Sequence, residues 1–285
     1  MKKRRCLLAA TLLITCSLSL VSYAGPNSRA AYVKRNWGET TAAESRETAG
    51  GSSGSPQAAS KEDLRLFADA VSKMRKLTSV EVQTSLNLCI ELDGQTTGML
   101  LSSQIKGEDL GRSTMKYTMS NHMEATEETW DVNLFYTDGY LYTNTGGEKT
   151  KFPSNQANIM EVFDSTTNSD WLSRSDSFKD MKVSEDRRGN RIFTFVCDLE
   201  NAGSSVNDLY TGLGLDAAAD MKPLNGTVCV NAAGYITHQS LDMNVDIGSS
   251  GRTASVFMKM DIMYVNPGKA VKITLPSTAG YQETS

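Results

Sequence analysis

Val80–Leu92 reads VEVQTSLNLCIEL. Its even positions carry Val80, Val82, Leu86, Leu88, Ile90 and Leu92, with Thr84 among them, and its odd positions carry Glu81, Gln83, Ser85, Asn87, Cys89 and Glu91. Successive side chains of an extended chain leave opposite faces, so a period of two held over the whole stretch predicts one long strand with a dry face and a wet face. A dry face on one side must be set against other parts of the chain. The flanking sequence supplies candidates on both sides.

Immediately upstream, Ser60 can cap a helix, and Asp63 three residues later makes a short version of the capping box. Leu64, Phe67, Ala68, Val71, Met74 and Leu77 then follow largely at spacings of three and four, which predicts one apolar stripe. Thr78-Ser79 ends the helix. Downstream, Asp93-Gly94 is a hairpin signal. Met99–Ile105 returns, Gly107–Gly111 turns, and Ser113–Met123 alternates Met115, Tyr117 and Met119 with Lys116, Thr118 and Ser120. Thr129–Tyr136 and Tyr140–Asn144 flank Asp138-Gly139, and Lys149–Pro153 follows Gly146-Gly147. Short turns between alternating runs predict an antiparallel meander.

Gln156–Phe178 breaks the pattern. Asn158–Phe163 reads as helix, with Trp171, Leu172 and Phe178 pinning an irregular crossing. Strand patterns resume at Met181–Glu185 and Ile192–Leu199, and Val206–Leu215 reads as a short helix weakened by Gly212 and Gly214. Leu224–Val230, Tyr235–Ile247, Ala254–Val265 and Ala270–Leu275 complete a second meander. Its long strands are one-sided too: Leu241, Met243, Val245 and Ile247 alternate with Asp242, Asn244 and Asp246. The fold class expected is α+β, a strongly curved antiparallel sheet of about eight to ten strands forming a half-barrel, with helices packed on its concave face.

The ends of the chain differ from this body. Met1–Arg5 is basic, Cys6–Tyr23 is apolar, and Ser22-Tyr23-Ala24 offers small residues for cleavage, the three parts of a secretory signal over 1–24. A retained anchor and lipid attachment at Cys16 are the alternatives, although Thr15 is a poor residue before a lipidated cysteine. Residues 25–60, rich in Gly, Ser, Thr and Ala, read as a disordered tether, 61–277 as a single domain, and 278–285 as a flexible tail. Loss of the signal leaves 25 Lys+Arg against 33 Asp+Glu, a net charge of −8. Such an acidic exported domain is a poor binder of nucleic acid or anionic lipid surfaces by charge. The membrane is then reached only through an uncleaved or lipidated N-terminus.

Motifs of chemistry are few. His122 and His238 lie far apart in strand patterns, with no partner nucleophile placed by either. HExxH, Walker and GxGxxG signatures are missing. Cys89, Cys197 and Cys229 lack CxxC spacing, and buried thiols fit them better than a bridge, although one disulfide is open. The expectation is therefore no catalytic residue, no metal and no cofactor. Methionine is the outlier, because its flexible thioether can repack around varied apolar guests. The candidate apolar lining is Leu86, Leu88, Ile90, Met99, Met115, Tyr117, Met119, Met243, Met258 and Met260.

The order of KMRKLTSVEV, YTDGYLYTNTGGEKTKFP, LNGTVCVNAAGYITHQSLDMNVDI and FMKMDIMYVNPGKAVKITLP resembles an uncharacterised family of secreted lipoproteins of Gram-positive bacteria. That family is similar in turn to the mycobacterial LppX and LprG lipoproteins and the LolA/LolB carriers. The resemblance covers roughly Lys61–Ser277. It implies a LolA-like half-barrel closed by helices, non-enzymatic, with a lipid or other apolar ligand as partner. The function expected is that of an exported, cell-surface or extracellular protein binding an acyl or lipid ligand between sheet and helices. The alternative is a structural or protein-interaction module, engaging an envelope protein partner, with a fully packed core and no ligand.

Overall fold

The computed structural model describes residues 55–92, 95–125, 128–167, 172, 178–197, 224–249 and 252–284. Its elements are β1 (Gln57–Ala58), α1 (Lys61–Met74), β2 (Val80–Leu92), β3 (Gln95–Glu108), β4 (Lys116–Ala125), β5 (Glu128–Thr137), β6 (Tyr140–Thr145) and β7 (Glu148–Pro153). Then come α2 (Gln156–Thr167), β8 (Phe178–Glu185), β9 (Arg191–Cys197), β10 (Leu224–Val230), β11 (Ile236–Ser249), β12 (Arg252–Tyr264) and β13 (Gln282–Glu283).

The strands make one open 13-stranded sheet in the order β1-β8-β9-β10-β11-β12-β2-β3-β4-β5-β6-β7-β13. The opening strand β2 is its centre. On one side β2 pairs with β3 from Val80↔Gly107 to Leu92↔Gln95, and the meander runs outward to β7. On the other side it pairs with β12 from Val82↔Tyr264 to Leu92↔Ala254, and the second meander runs outward in reverse to β8. The N-terminal and C-terminal halves of the chain therefore meet along one seam. All pairs are antiparallel except β7 with β13, which is parallel.

The predicted alternation decides which residues share a face. Even positions of β2 stand opposite odd positions of β3 and even positions of β12, so Leu86 faces Leu101 and Met260, while Leu88 faces Met99 and Met258. This face carries the core, in which Val82, Ile105, Phe193, Val228, Met258 and Ile262 are almost wholly buried.

Both described helices pack into that core. α1 has the expected capping box: the Asp63 N–H donates to Ser60 Oγ at 3.2 Å, and the Ser60 N–H donates to Asp63 Oδ2 at 3.0 Å. Its buried stripe is Phe67, Ala70 and Val71, with Leu66, Met74 and Leu77 half-buried against it. Leu64 and Ala68, expected in the stripe, lie outside; Leu64 is 44% exposed. Phe67 meets Phe178, Phe193 and Phe195 edge-on, with centroids 5.2–6.2 Å apart. Lys73 reaches the Ala233 carbonyl and the ring of Tyr235. α1 thus docks over the β8–β11 half of the sheet. In α2, Ile159 is buried, and Met160 and Phe163 are half-buried against the same core.

Three differences from the sequence reading have physical causes. Ala270–Leu275 has a strand's alternation but is no strand. Its amides are taken by side chains: the Val271 N–H donates to Ser79 Oγ at 2.7 Å, and the Ile273 N–H donates to Glu108 Oε2 at 2.8 Å. Gln57–Ala58, read as tether, and Gln282–Glu283, read as tail, each add a two-residue strand to an edge of the sheet. Tyr281 fixes the second by edge-on contact with Phe135 and Tyr142. The predicted helix Val206–Leu215 and Trp171 lie outside the described residues, whereas Leu172 is buried as a pin should be.

Candidate functional site

All ten candidate lining residues belong to one core cluster on the apolar side of the sheet. They divide into two groups by cover. Leu88, Met115, Tyr117, Met119, Met243 and Met258 are buried. Leu86, Ile90, Met99 and Met260 are only half-buried, and so is Leu101 between them. Leu86 faces both Leu101 and Met260, and Met99 is the next residue of this face along β3, whereas buried Leu88 parts Ile90 from Leu86. The half-buried set lies toward the Leu92–Gln95 end of β2 and β3. At the other end of the same strands Val80, Val82, Ile105 and Tyr264 are sealed.

A feature not expected from sequence separates the two ends. Asn121 of β4 faces Ser103 of β3, Ser103 faces Thr84 of β2, Thr84 faces Ile262 of β12, and Ile262 faces Gln239 of β11. Four polar side chains thus stand in one transverse row on the apolar face, interrupted once by Ile262. Asn121 is 4% exposed and Gln239 1%. Gln239 Nε2 donates to the Tyr264 hydroxyl at 2.8 Å, and burial pushes the Tyr264 phenol up so that it stays neutral. Asn121 Oδ1 and Gln239 Oε1 have no hydrogen-bond partner among the described residues. A buried oxygen left so costs about 1–3 kcal/mol. The sequence carried a signal of this row: Thr84 interrupts the apolar positions of β2, and Asn121 sits between Met119 and Met123.

The wet face holds a groove of about 500 Å3 running from His122 on β4 to His238 on β11, floored by Gln83, Ser85 and Ser102. None of the ten apolar candidates lines it. His122 bonds Asp131 at 2.8 Å and Glu124 at 3.1 Å, and these partners, Asp131 first, raise its pKa. His238 bonds Asp261 at 3.1 Å. Four strand steps part the two imidazoles, about 19 Å at about 4.8 Å per step. They therefore cannot act on one bond. Among the described residues no group of three His, Cys, Asp or Glu could hold a metal ion. The three cysteines are buried thiols rather than disulfides, with burial raising Cys197 to about 12 and Cys229 to about 11.

Residues 63–283, from the first turn of α1 to the last strand, match one family. The chain belongs to DUF6612, a family of unknown function. The expectation of an uncharacterised family is met. No curated protein matches this DUF6612 chain. Solved structures similar to it include LprF from Mycobacterium bovis, 12% identical with a TM-score of 0.42, covering 78% of this chain and 100% of that one. A DUF1329 family protein from Desulfovibrio piger is 8% identical with a TM-score of 0.27, covering 72% and 94%. Similarity at this level says nothing about a ligand. No described helix is long and apolar enough to cross a membrane.

Proposed function

We propose that this DUF6612 protein is an exported, non-catalytic protein of the cell envelope that holds a lipid or acyl chain between a curved, half-barrel sheet and its helices. The observation that carries the reading is the half-buried group Leu86, Met99, Leu101 and Met260, with Ile90 beside it, on the same face as the sealed Val80, Val82, Ile105 and Tyr264. Aliphatic surface left partly wet gains about 25 cal/mol per Å2 when a guest covers it. Two methionines in the group let it adapt to chains of different shape. The acidic charge of the mature chain argues against recognition of an anionic membrane surface.

Native mass spectrometry of protein released under mild conditions tests the reading. A co-purifying lipid, or a rise in Tm with added acyl ligand, is expected. In the double variant Leu86→Gln, Met260→Gln, occupancy should fall by about tenfold. A ligand-free protein indifferent to acyl compounds overturns the proposal and leaves the alternative, a structural or protein-interaction module. The sealed Val80–Val82 end of the face supports that alternative, since a core packed in this way throughout would leave no room for a guest.

A further inference from the structure

The transverse row on the apolar face asks for hydrogen-bond donors. Asn121 Oδ1 and Gln239 Oε1 are out of reach of bulk water and unpartnered among the described residues, so whatever serves them must come inside. Two agents can: ordered water, or a polar group on the guest itself. The row lies beside the half-buried group, one position along each strand pair from it. Thr84 precedes Leu86 on the same face of β2, Ser103 follows Leu101 on β3, and Gln239 precedes Leu241, which faces Met260. A guest over these side chains brings its polar group to the row.

The chemistry of the row selects that group. Its members are two amides and two hydroxyls, and Lys, Arg and His are not among them. A free carboxylate would bring a buried charge without a cation and set its oxygens against amide oxygens. A hydrocarbon would leave both oxygens unserved. We infer that the row of Asn121, Ser103, Thr84 and Gln239 is a recognition site for a neutral, donor-bearing lipid, one with hydroxyl or amide N–H groups. The inference rests on the lipid-binding reading above and names the ligand class within it.

Three probes of equal chain length separate the cases: 1-tetradecanol, its methyl ether, and myristate. Each is presented to the full chain in non-ionic micelles, and relative occupancy is read by native mass spectrometry. The alcohol is expected to exceed the ether by about tenfold, which is about 1.4 kcal/mol. It should also exceed myristate at pH 7. Asn121→Leu and Gln239→Leu are expected to bring alcohol and ether within about twofold of each other while ether binding persists. Gln239→Leu strips the buried Tyr264 hydroxyl of its donor and lowers stability, whereas Asn121→Leu removes an amide whose oxygen is unpartnered, and either folded variant decides the outcome. Equal occupancy by alcohol and ether in the wild type overturns the inference and leaves lipid binding intact. So does a preference unchanged in both variants, since the oxygens are then served by water alone. If no probe binds, the lipid-binding reading itself falls, and the inference with it.

Discussion

The two ends of β2 share one strand, one face and one residue chemistry, yet differ in what surrounds them. At the first end, Val80 and Val82 lie beside Ile105, Tyr264 and Tyr117, and all five side chains are buried. At the second, Leu86 and Ile90 keep part of their surface exposed among Met99, Leu101 and Met260. The difference does not come from hydropathy, since both ends are equally apolar in sequence. It comes from neighbours: the sealed end lies among aromatic and β-branched side chains, and the half-open end is the one rich in methionine. Packing, rather than patterning, tells a structural core from a surface that can accept a guest.

Paired truncations should break or sharpen this contrast. Ile105→Ala removes a side chain with no exposure and should cost about 2–5 kcal/mol in chemical unfolding. Leu86→Ala removes a comparable volume where cover is partial, and about 1 kcal/mol is expected, because less buried area is lost. Equal losses at the two positions would mean that both ends are core.

A smaller effect concerns how the sealed end is closed. The Glu108 carboxylate accepts the Ile273 N–H at 2.8 Å and lies near Lys272 and Lys116, tying the segment after β12 across the end of β3. The backbone bond from Ile273, then the lysines, outweigh desolvation and hold the Glu108 pKa below the ordinary glutamate value. A depressed carboxylate stabilises the fold above its unfolded pKa. That contribution is lost as pH falls through the lowered value. The protection factor of the Ile273 amide against hydrogen exchange should therefore fall as pH drops below the ordinary glutamate range, ahead of protection in β2. Simultaneous loss of both would show that the tie has no independent role.

The smallest effect is expected on the opposite face. His122, drawn up by Asp131 and Glu124, contributes stability present below the ordinary histidine pKa and lost as pH rises through the raised one. Its side chain is 45% exposed, so the change should be slight and weakened by salt. A shallow fall in Tm across the near-neutral range, missing in His122→Gln, is the expected signature.

Much of the fold was legible because period-two patterning reports on faces directly: β2 was read with its observed limits, and the strands around it within a few residues. The capping box of α1 was equally local. What sequence did not disclose depended on partners far along the chain. Ala270–Leu275 alternates like a strand, but its amides belong to Ser79 and Glu108, which no local pattern reveals. The polar row escaped notice for the same reason. Thr84 and Asn121 each break an apolar alternation in their own strands, but only register across five strands sets them in line with Ser103 and Gln239.

The seam between β2 and β12 also bears on how the molecule comes into being. Val82 faces Tyr264 and Leu92 faces Ala254, so the central ladder joins strands that lie near opposite ends of the folded body. Contacts of such long separation form late, because the closure entropy of the intervening chain must be met first. A ribosome delivers β2 long before β12, and a translocation pore threaded from the N-terminus would do the same. In that interval the β2–β7 sheet presents a long row of unpaired amides and carbonyls, the kind of edge that recruits other chains. Vulnerability to aggregation is thus concentrated in the nascent protein, and it ends when the last long strand to emerge completes the first.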